Sequence, residues 1–406
     1  MEDSDPGTRK AKTGTRGMDI AFCYESVLPE RGGCEMYIAS LARRLAQDGH
    51  KLHLYASRWD DAKLPKGMVF HNVAVSNWPR SLRPWRFGSA VLGALKGANH
   101  DATIGFDKTW GLDILYPQGG LYAASADQNI LKEPTEGRRN FMRMVKKFDL
   151  AHQSFLAIER KQYLGQRGSL VIAISEMVRG HFQKYYGIRG EDLRVVRIAT
   201  NPDRFSEQDR PLRRHQVRER YGIRPEEVVA LFCGMNYRLK GLIPLLHAVA
   251  LLPKNQPFRL LAIGSPNTRE VRAVARSLGI EDRVVFAGYC SDMRDGYFAA
   301  DMFVHPTFYD PCSHVVPEAM SCGLPVITTR YNGASELMSP PREGYLIEDP
   351  HRHHELAAAM AQFFDPAKRQ ACGQAGRKAG GQWTFEHHYR QMLDVFCEAK
   401  ERRHAA

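Results

Sequence analysis

Short apolar runs alternate with longer amphipathic stretches from Met18 onward, and the alternation restarts near Glu227. An apolar run with a helical cover on each side suits a parallel sheet wrapped by helices, so the pattern specifies an α/β fold. In the first half the strand-like runs are Met18 to Tyr24, Lys51 to Ser57, Ala102 to Phe106, Ser169 to Ile174 and Leu193 to Ile198. A helix after the first run ends at Gly49, and Ser175 caps another that Gly187 ends. The stretch before Ser169 reads as helical. The second half supplies Glu227 to Gly234, Phe258 to Gly264, Val284 to Gly288, Met302 to Val304 and Val326 to Thr328. The boundary falls near residues 204–212, and Phe385 to Arg403 forms a last amphipathic helix.

At 406 residues the chain is long enough for two domains with cores of their own. No apolar run approaches the length of a membrane span. Residues 1–17 are polar and charged, lack the apolar core of a secretory signal, and read as a disordered tail. The eight cysteines contain no Cys-x-x-Cys pair, which argues against zinc or a redox centre; as reduced core residues in a chain without a signal they imply the cytosol. A net charge of +12 suits nucleic acid, an anionic membrane surface or a phosphorylated substrate. Basic clusters lie at 79–86, 138–147 and 212–220, the last reading as a solvated helix face. No nucleic-acid-binding module is present, so no nucleic-acid partner is expected.

The densest signal is HPTFYDPCSHVVPEAMSCGLPVITT, residues 305–329. A strand ends in a polar loop carrying Asp310, and a short helix carries Glu318. Were the stretch from Asp310 all helical, the two carboxylates would stand about 12 Å apart, too far to act on one bond and suited to two contacts on an elongated ligand. Pro317 has no N–H and fits only the first helical turn, so Glu318 lies early in the helix. The N–H groups of Ser313, His314 and Val315 then sit at its positive end, ready for an anion. A carboxylate for hydroxyls beside a cradle for phosphate suggests a sugar nucleotide.

The Asp-x7-Glu spacing followed by AMSCGLPVITT resembles the Glu-x7-Glu signature of retaining, GT-B-fold transferases of glycosyltransferase family 4. GFDKTWGLDILY (105–116), ATNPDRF (199–205) and the opening DIAFCYESVLPERGGCEMY bring the likeness close to the lipopolysaccharide core glucosyltransferase I group. The resemblance implies two Rossmann-like domains with a deep cleft between them. Residues 18–205 would bind the acceptor, 206–384 the nucleotide sugar, and 385–406 would form a helix crossing back to the first domain. It implies a hexose, glucose, moved with retention from UDP-glucose to a lipopolysaccharide-core-like or other lipid-linked saccharide. An exopolysaccharide precursor or soluble sugar is the alternative acceptor. The enzyme would be cytoplasmic, on the inner face of the membrane.

By the same resemblance Glu318 holds the ribose hydroxyls and Asp310 touches the transferred sugar, although Asp stands where the family has Glu. Cys312 and Ser313 replace the usual Phe-Gly. Arg238 and Lys240, in MNYRLKGL, match the cations that clamp the diphosphate, and Asp310, Lys240 and Arg238 form the expected catalytic set. Gly32 and Gly33 lie in the loop that faces the donor diphosphate, and Arg204 matches an arginine that reaches the nucleotide sugar. In the first half, YPQGGLY offers Gln118 and Gly119 near the reacting sugar, with Asp113 close by at what matches a structural position. No residue there is a catalytic base. A retaining transferase can work without one, by front-face attack in which the departing phosphate takes the acceptor proton. WPRSLRPWRF (78–87) reads either as a membrane-facing Trp–Arg segment or as a surface loop with its aromatics tucked inward, and RRNFMRMVKKF (138–148) has a similar character. His305 reads as structural. The sixteen histidines show no metal-ligand spacing and no Asp-x-Asp loop appears, so no metal or other cofactor is expected.

Overall fold

The computed structural model describes residues 17–30, 32–164, 168–188, 190–199 and 202–405. The tail expected at 1–17 lies outside these except for Gly17. Two compact units emerge, one within Met1–Tyr116, Gln166–Leu170 and Val395–Ala406, the other within Pro117–Gly165 and Val171–Asp394.

The strands are β1 (Asp19–Cys23), β2 (Ser26–Val27), β3 (Lys51–Ala56), β4 (Arg58–Trp59), β5 (Val69–Asn72), β6 (Ala102–Gly105), β7 (Ile114–Leu115), β8 (Leu170–Ala173), β9 (Leu193–Val195), β10 (Val228–Gly234), β11 (Phe258–Gly264), β12 (Val284–Gly288), β13 (Met302–His305), β14 (Val326–Thr329) and β15 (Gly344–Ile347). In the first unit the parallel sheet runs β5-β3-β1-β6-β7. Ile20, Ala21, Phe22 and Cys23 of β1 are fully buried, as a central strand covered on both faces requires. The helix Gly33–Gln47 buries Ile38, Leu41, Ala42 and Leu45 along one stripe. The final helix, Phe385–Ala405, ends in this unit, where Lys400 reaches Asp101 at 3.0 Å and Arg403 reaches Asp113 at 3.1 Å.

The second unit holds a six-stranded parallel sheet in the order β12-β11-β10-β13-β14-β15. Chain order reverses between β10 and β13, so the loops that follow these two strands leave in opposite senses. A crevice opens at that point beyond the strands' carboxyl ends, where open α/β sheets bind ligands. Below it, Phe232, Leu260, Met302 and Ile327 pack with Leu245, Leu246, Leu356 and Met360 from the helices Leu242–Leu251 and His353–Gln362. Strands that the apolar alternation did not mark are β5 and β15 at sheet edges and the two-residue β2, β4 and β7.

The solvated face expected at 212–220 is only half right. Arg214 and Arg218 of the helix Arg210–Arg220 turn inward onto Asp301, each at 2.7 Å, and Arg218 is buried. Arg218 also donates to the carbonyls of Ala299 and Glu227, so its charge ties the helix to the sheet.

Candidate active site

The loops after β10 and β13 meet at the switch point. Gly241 has φ +83°, and a Cβ there would stand 1.9 Å from the Pro306 carbonyl oxygen, so only glycine permits the approach. The Phe308 N–H and the Thr307 hydroxyl both donate to the Leu239 carbonyl, at 2.9 and 3.1 Å. These ties bring Lys240 to Asp310: Lys240 Nζ lies 2.6 Å from Asp310 Oδ2 and 3.3 Å from the Tyr309 carbonyl. The expected sugar contact and the expected diphosphate cation are therefore partners of each other. Beneath them His305 is buried beside Phe232 and Phe303. Burial pushes its imidazole pKa down to about 3, so the ring is neutral, in keeping with a structural role.

Asp310 is also held from the far side. Its backbone bridges Asn332, with Asp310 N–H to the Tyr331 carbonyl and Gly333 N–H to the Asp310 carbonyl, both 2.9 Å. Asn332 is fully buried. Its Oδ1 accepts from the N–H groups of Ser313 (3.3 Å) and Ala334 (3.1 Å), and its Nδ2 donates to Thr328 Oγ1 (3.2 Å). The Ser313 N–H expected to await an anion is thus occupied. Nothing in the apolar pattern marks Asn332; its importance appears only once the two loops are seen together.

The helix after the loop begins at Val315, so the segment from Asp310 to His314 is not helical and the all-helical 12 Å separation does not apply. Pro317 lies in the first turn, as expected. Glu318 follows, and Tyr297, fully buried, donates its hydroxyl to Glu318 Oε2 at 2.7 Å. Burial raises the Glu318 pKa, while the Tyr297 bond and the nearby His314 and Arg204 charges oppose the rise. Arg204, Glu318 and His314 therefore form one electrostatic group. Cys312 beside them is buried, and burial pushes its thiol pKa far up, which removes it as a nucleophile.

Arg238 pairs with acids other than Asp310. Its guanidinium lies 3.7 Å from Glu133 and 3.4 Å from Glu270. The Gln118–Gly119 turn does reach the site's rim. Gly120, with φ +68°, is so close that a Cβ would stand 2.6 Å from Tyr309 Oη and 2.9 Å from Pro311. Gln118 Nε2 is buried without a partner among the described residues, and Gly119 faces open space. Ser175, expected only as a helix cap, both accepts from Val178 N–H at 3.2 Å and donates to the Pro311 carbonyl at 2.8 Å. Glu336 accepts from Glu176 and Met177 N–H at the same helix start.

Asp113, grouped with the acceptor by its place in the chain, is a structural residue. Its carboxylate accepts from Thr103 N–H and Oγ1, both at 2.8 Å, and also meets Arg403 of the final helix. Gly32 is extended and precedes the helix Gly33–Gln47; a Cβ on Gly32 would stand 2.4 Å from the Glu35 carboxylate, and one on Gly33 would meet nothing.

Parallel doubly wound sheets, with a Lys–Asp pair and a further carboxylate at the switch point, are the arrangement in which open α/β sheets bind ligands. Residues 213–379 match the family model for glycosyl transferases, group 1. The chain is a glycosyltransferase with the GT-B fold. It is 25% identical over 342 residues to the lipopolysaccharide glucosyltransferase WaaG of Escherichia coli (strain K12), covering 84% of this chain and 87% of that one. The fold matches a crystal structure of WaaG, a glycosyltransferase involved in lipopolysaccharide biosynthesis, with TM-score 0.77 at 24% identity over 93% of this chain and 99% of that one. It also matches Anabaena Alr3699/HepE in complex with UDP-glucose, with TM-score 0.69 at 18% identity over 94% of this chain and 99% of that one.

Proposed function

We propose that this enzyme moves glucose, with retention, from UDP-glucose to a lipopolysaccharide-core-like or other lipid-linked saccharide. The observation that carries the reading is the Lys240–Asp310 pair at the sheet's switch point, with Glu318 in the helix that follows. Glu318 holds the ribose hydroxyls through the oxygen that Tyr297 leaves available. Lys240 exchanges Asp310 for the donor diphosphate, and Asp310 is then released toward the sugar hydroxyls. As the glycosidic bond breaks, negative charge grows on the diphosphate, and a cation fixed within reach of it stabilises that change. The acceptor attacks the face the diphosphate leaves, and the departing phosphate takes its proton. No divalent ion is required by this scheme.

A lipid-linked acceptor brings the enzyme to a membrane. Among the described residues no helix is long and apolar enough to cross one. The helix Glu136–Phe148 buries none of its residues. It exposes Phe141, Met144, Val145 and Phe148 at helical spacing, with Phe148 81% and the following Leu150 85% accessible. Arg138, Arg143 and Lys147 lie in the same helix. That combination suits peripheral attachment to the anionic cytoplasmic face. The 78–87 segment suits it less: Trp85 packs on Trp110, Arg83 pairs with Glu25, and Arg86 bonds the Trp78 carbonyl. Hydrolysis of UDP-glucose, UDP-galactose, UDP-N-acetylglucosamine and GDP-mannose by the purified chain tests the donor. UDP-glucose should be cleaved fastest, and a preference for GDP-mannose would overturn the donor assignment.

A further inference from the structure

Parallel pairing in the first unit gathers histidines that are far apart in the sequence. Asp19 opens β1, His53 lies in β3, His71 lies in β5, and His100 precedes β6. His53 and His100 are buried, while Asp19 is partly open to solvent. Asp19 Oδ1 lies 3.3 Å from His53 Nε2 and 2.5 Å from His100 Nδ1. These three ligand atoms all fall within 4.8 Å of one another. We propose that Asp19, His53 and His100 form a binding site for a zinc-like divalent transition-metal ion.

Three features support a metal rather than a hydrogen-bonded cluster alone. Bonds of about 2.0–2.1 Å in a tetrahedron place ligand atoms roughly 3.3 Å apart, the spacing already present between Asp19 and His53. The Asp19–His100 contact, at 2.5 Å, must open. The ring nitrogens that would not ligate already have partners. His53 Nδ1 lies 2.9 Å from His71 Nε2, and His100 Nε2 lies 2.9 Å from the Tyr55 hydroxyl. With Nε2 of His53 and Nδ1 of His100 turned to the ion, each opposite N–H donates outward, which fixes the tautomers as metal-bound histidines require. The second oxygen of Asp19 is held by Lys51 Nζ at 2.8 Å, which orients the carboxylate.

The donor set is two imidazoles and one carboxylate, with the fourth position left for water. Such a set favours zinc and accepts cobalt as a visible probe. The ion would join the start of β1 to β3 and to the turn before β6. It takes no part in the donor chemistry proposed above, so its removal should leave that chemistry intact.

The test uses the full chain without an affinity tag, stripped of metal and titrated with Co2+, then with Zn2+. One equivalent of Co2+ should bind with the absorption of a four- or five-coordinate site, and one equivalent of Zn2+ should displace it. Asp19→Asn keeps the side-chain shape and an acceptor for His100 but removes the anionic ligand. It should weaken Zn2+ by at least the roughly 10–100-fold that loss of an outer partner costs. His53→Gln should do the same. His353→Gln, in the separate His247–His353 stack, should change nothing. No saturable binding by the unmodified chain, or affinity retained in Asp19→Asn, would overturn the proposal. Should His53→Gln fail to fold, the cobalt spectrum of the unmodified chain and the Asp19→Asn titration decide it.

Discussion

Replacing Glu318 by alanine separates two things its carboxylate does. One oxygen accepts the Tyr297 hydroxyl at 2.7 Å, and in the proposed function the other takes a ribose hydroxyl. Losing a charged acceptor costs about 1.5–3 kcal/mol, so UDP should bind roughly 10–150-fold more weakly. The same change strands the fully buried Tyr297 hydroxyl, at a further cost to stability of about 1–3 kcal/mol. Tyr297→Phe removes that bond from the other side. It should destabilise by about 0.5–1.5 kcal/mol and leave UDP affinity close to that of the unmodified chain. Calorimetric titration with UDP, beside thermal melts of both variants, distinguishes the two effects. Acid adds a third reading. Burial raises the Glu318 pKa against the Tyr297 bond, and only the ionised group accepts two hydrogen bonds. UDP affinity should therefore fall on acidification above the ordinary glutamate range, and Glu318→Gln should not show that step. The sign for stability is opposite. With the folded pKa raised, the contribution is full below the unfolded value near 4.5 and is lost as pH rises through the folded value. Glu318→Gln should thus compare better with the unmodified chain at neutral pH than near pH 4. Unchanged UDP affinity in Glu318→Ala, or an equal loss in Tyr297→Phe, would remove Glu318 from the ribose site.

Lys240→Ala should lower turnover by about 10²–10³ while uridine affinity stays level, because the lysine meets charge that develops on the diphosphate. Equal losses for uridine and UDP would point to a folding defect instead. Donor hydrolysis should survive EDTA: among the described residues, the grouped metal-ligating side chains are Asp19, His53 and His100, not Asp310 and Glu318. Loss of activity restored by magnesium or manganese would refute this. Phe141→Ser with Phe148→Ser should reduce co-sedimentation with anionic vesicles, and salt should weaken what remains, since each basic residue near such a surface is worth about 1 kcal/mol. Soluble donor hydrolysis should be untouched, and equal binding to neutral and anionic vesicles would count against the membrane reading.

Strands β10 to β14 were legible because each is a short apolar run, and β10, β11 and β12 end at glycines that the sequence displays. The place of Glu318 early in its helix was legible through Pro317, which can occupy only a first turn. What stayed hidden depends on contacts between distant segments. The Lys240–Asp310 pair forms because Gly241 lets two loops meet, and a linear reading assigns those side chains separately. Asn332 looks like an ordinary loop residue until its amide is seen satisfying Ser313, Thr328 and Ala334 at once. The pairing of Arg238 with Glu133 was hidden for a similar reason, since Glu133 comes from a remote segment. The histidine cluster is the extreme case. Its members show no local spacing because parallel pairing brings β1, β3 and the turn before β6 side by side. Charge runs misled where a helix face turned inward, as Arg214 and Arg218 did onto Asp301.

The most direct test is the anomer released when the purified chain cleaves UDP-glucose, followed by proton NMR from the first minutes, before mutarotation mixes the forms. UDP-glucose carries an α-linked sugar, so retention requires α-glucose and UDP to appear first, at a rate that Lys240→Ala sharply reduces. Initial release of β-glucose, or no cleavage of UDP-glucose while another donor is consumed, would contradict retaining glucosyl transfer by this enzyme.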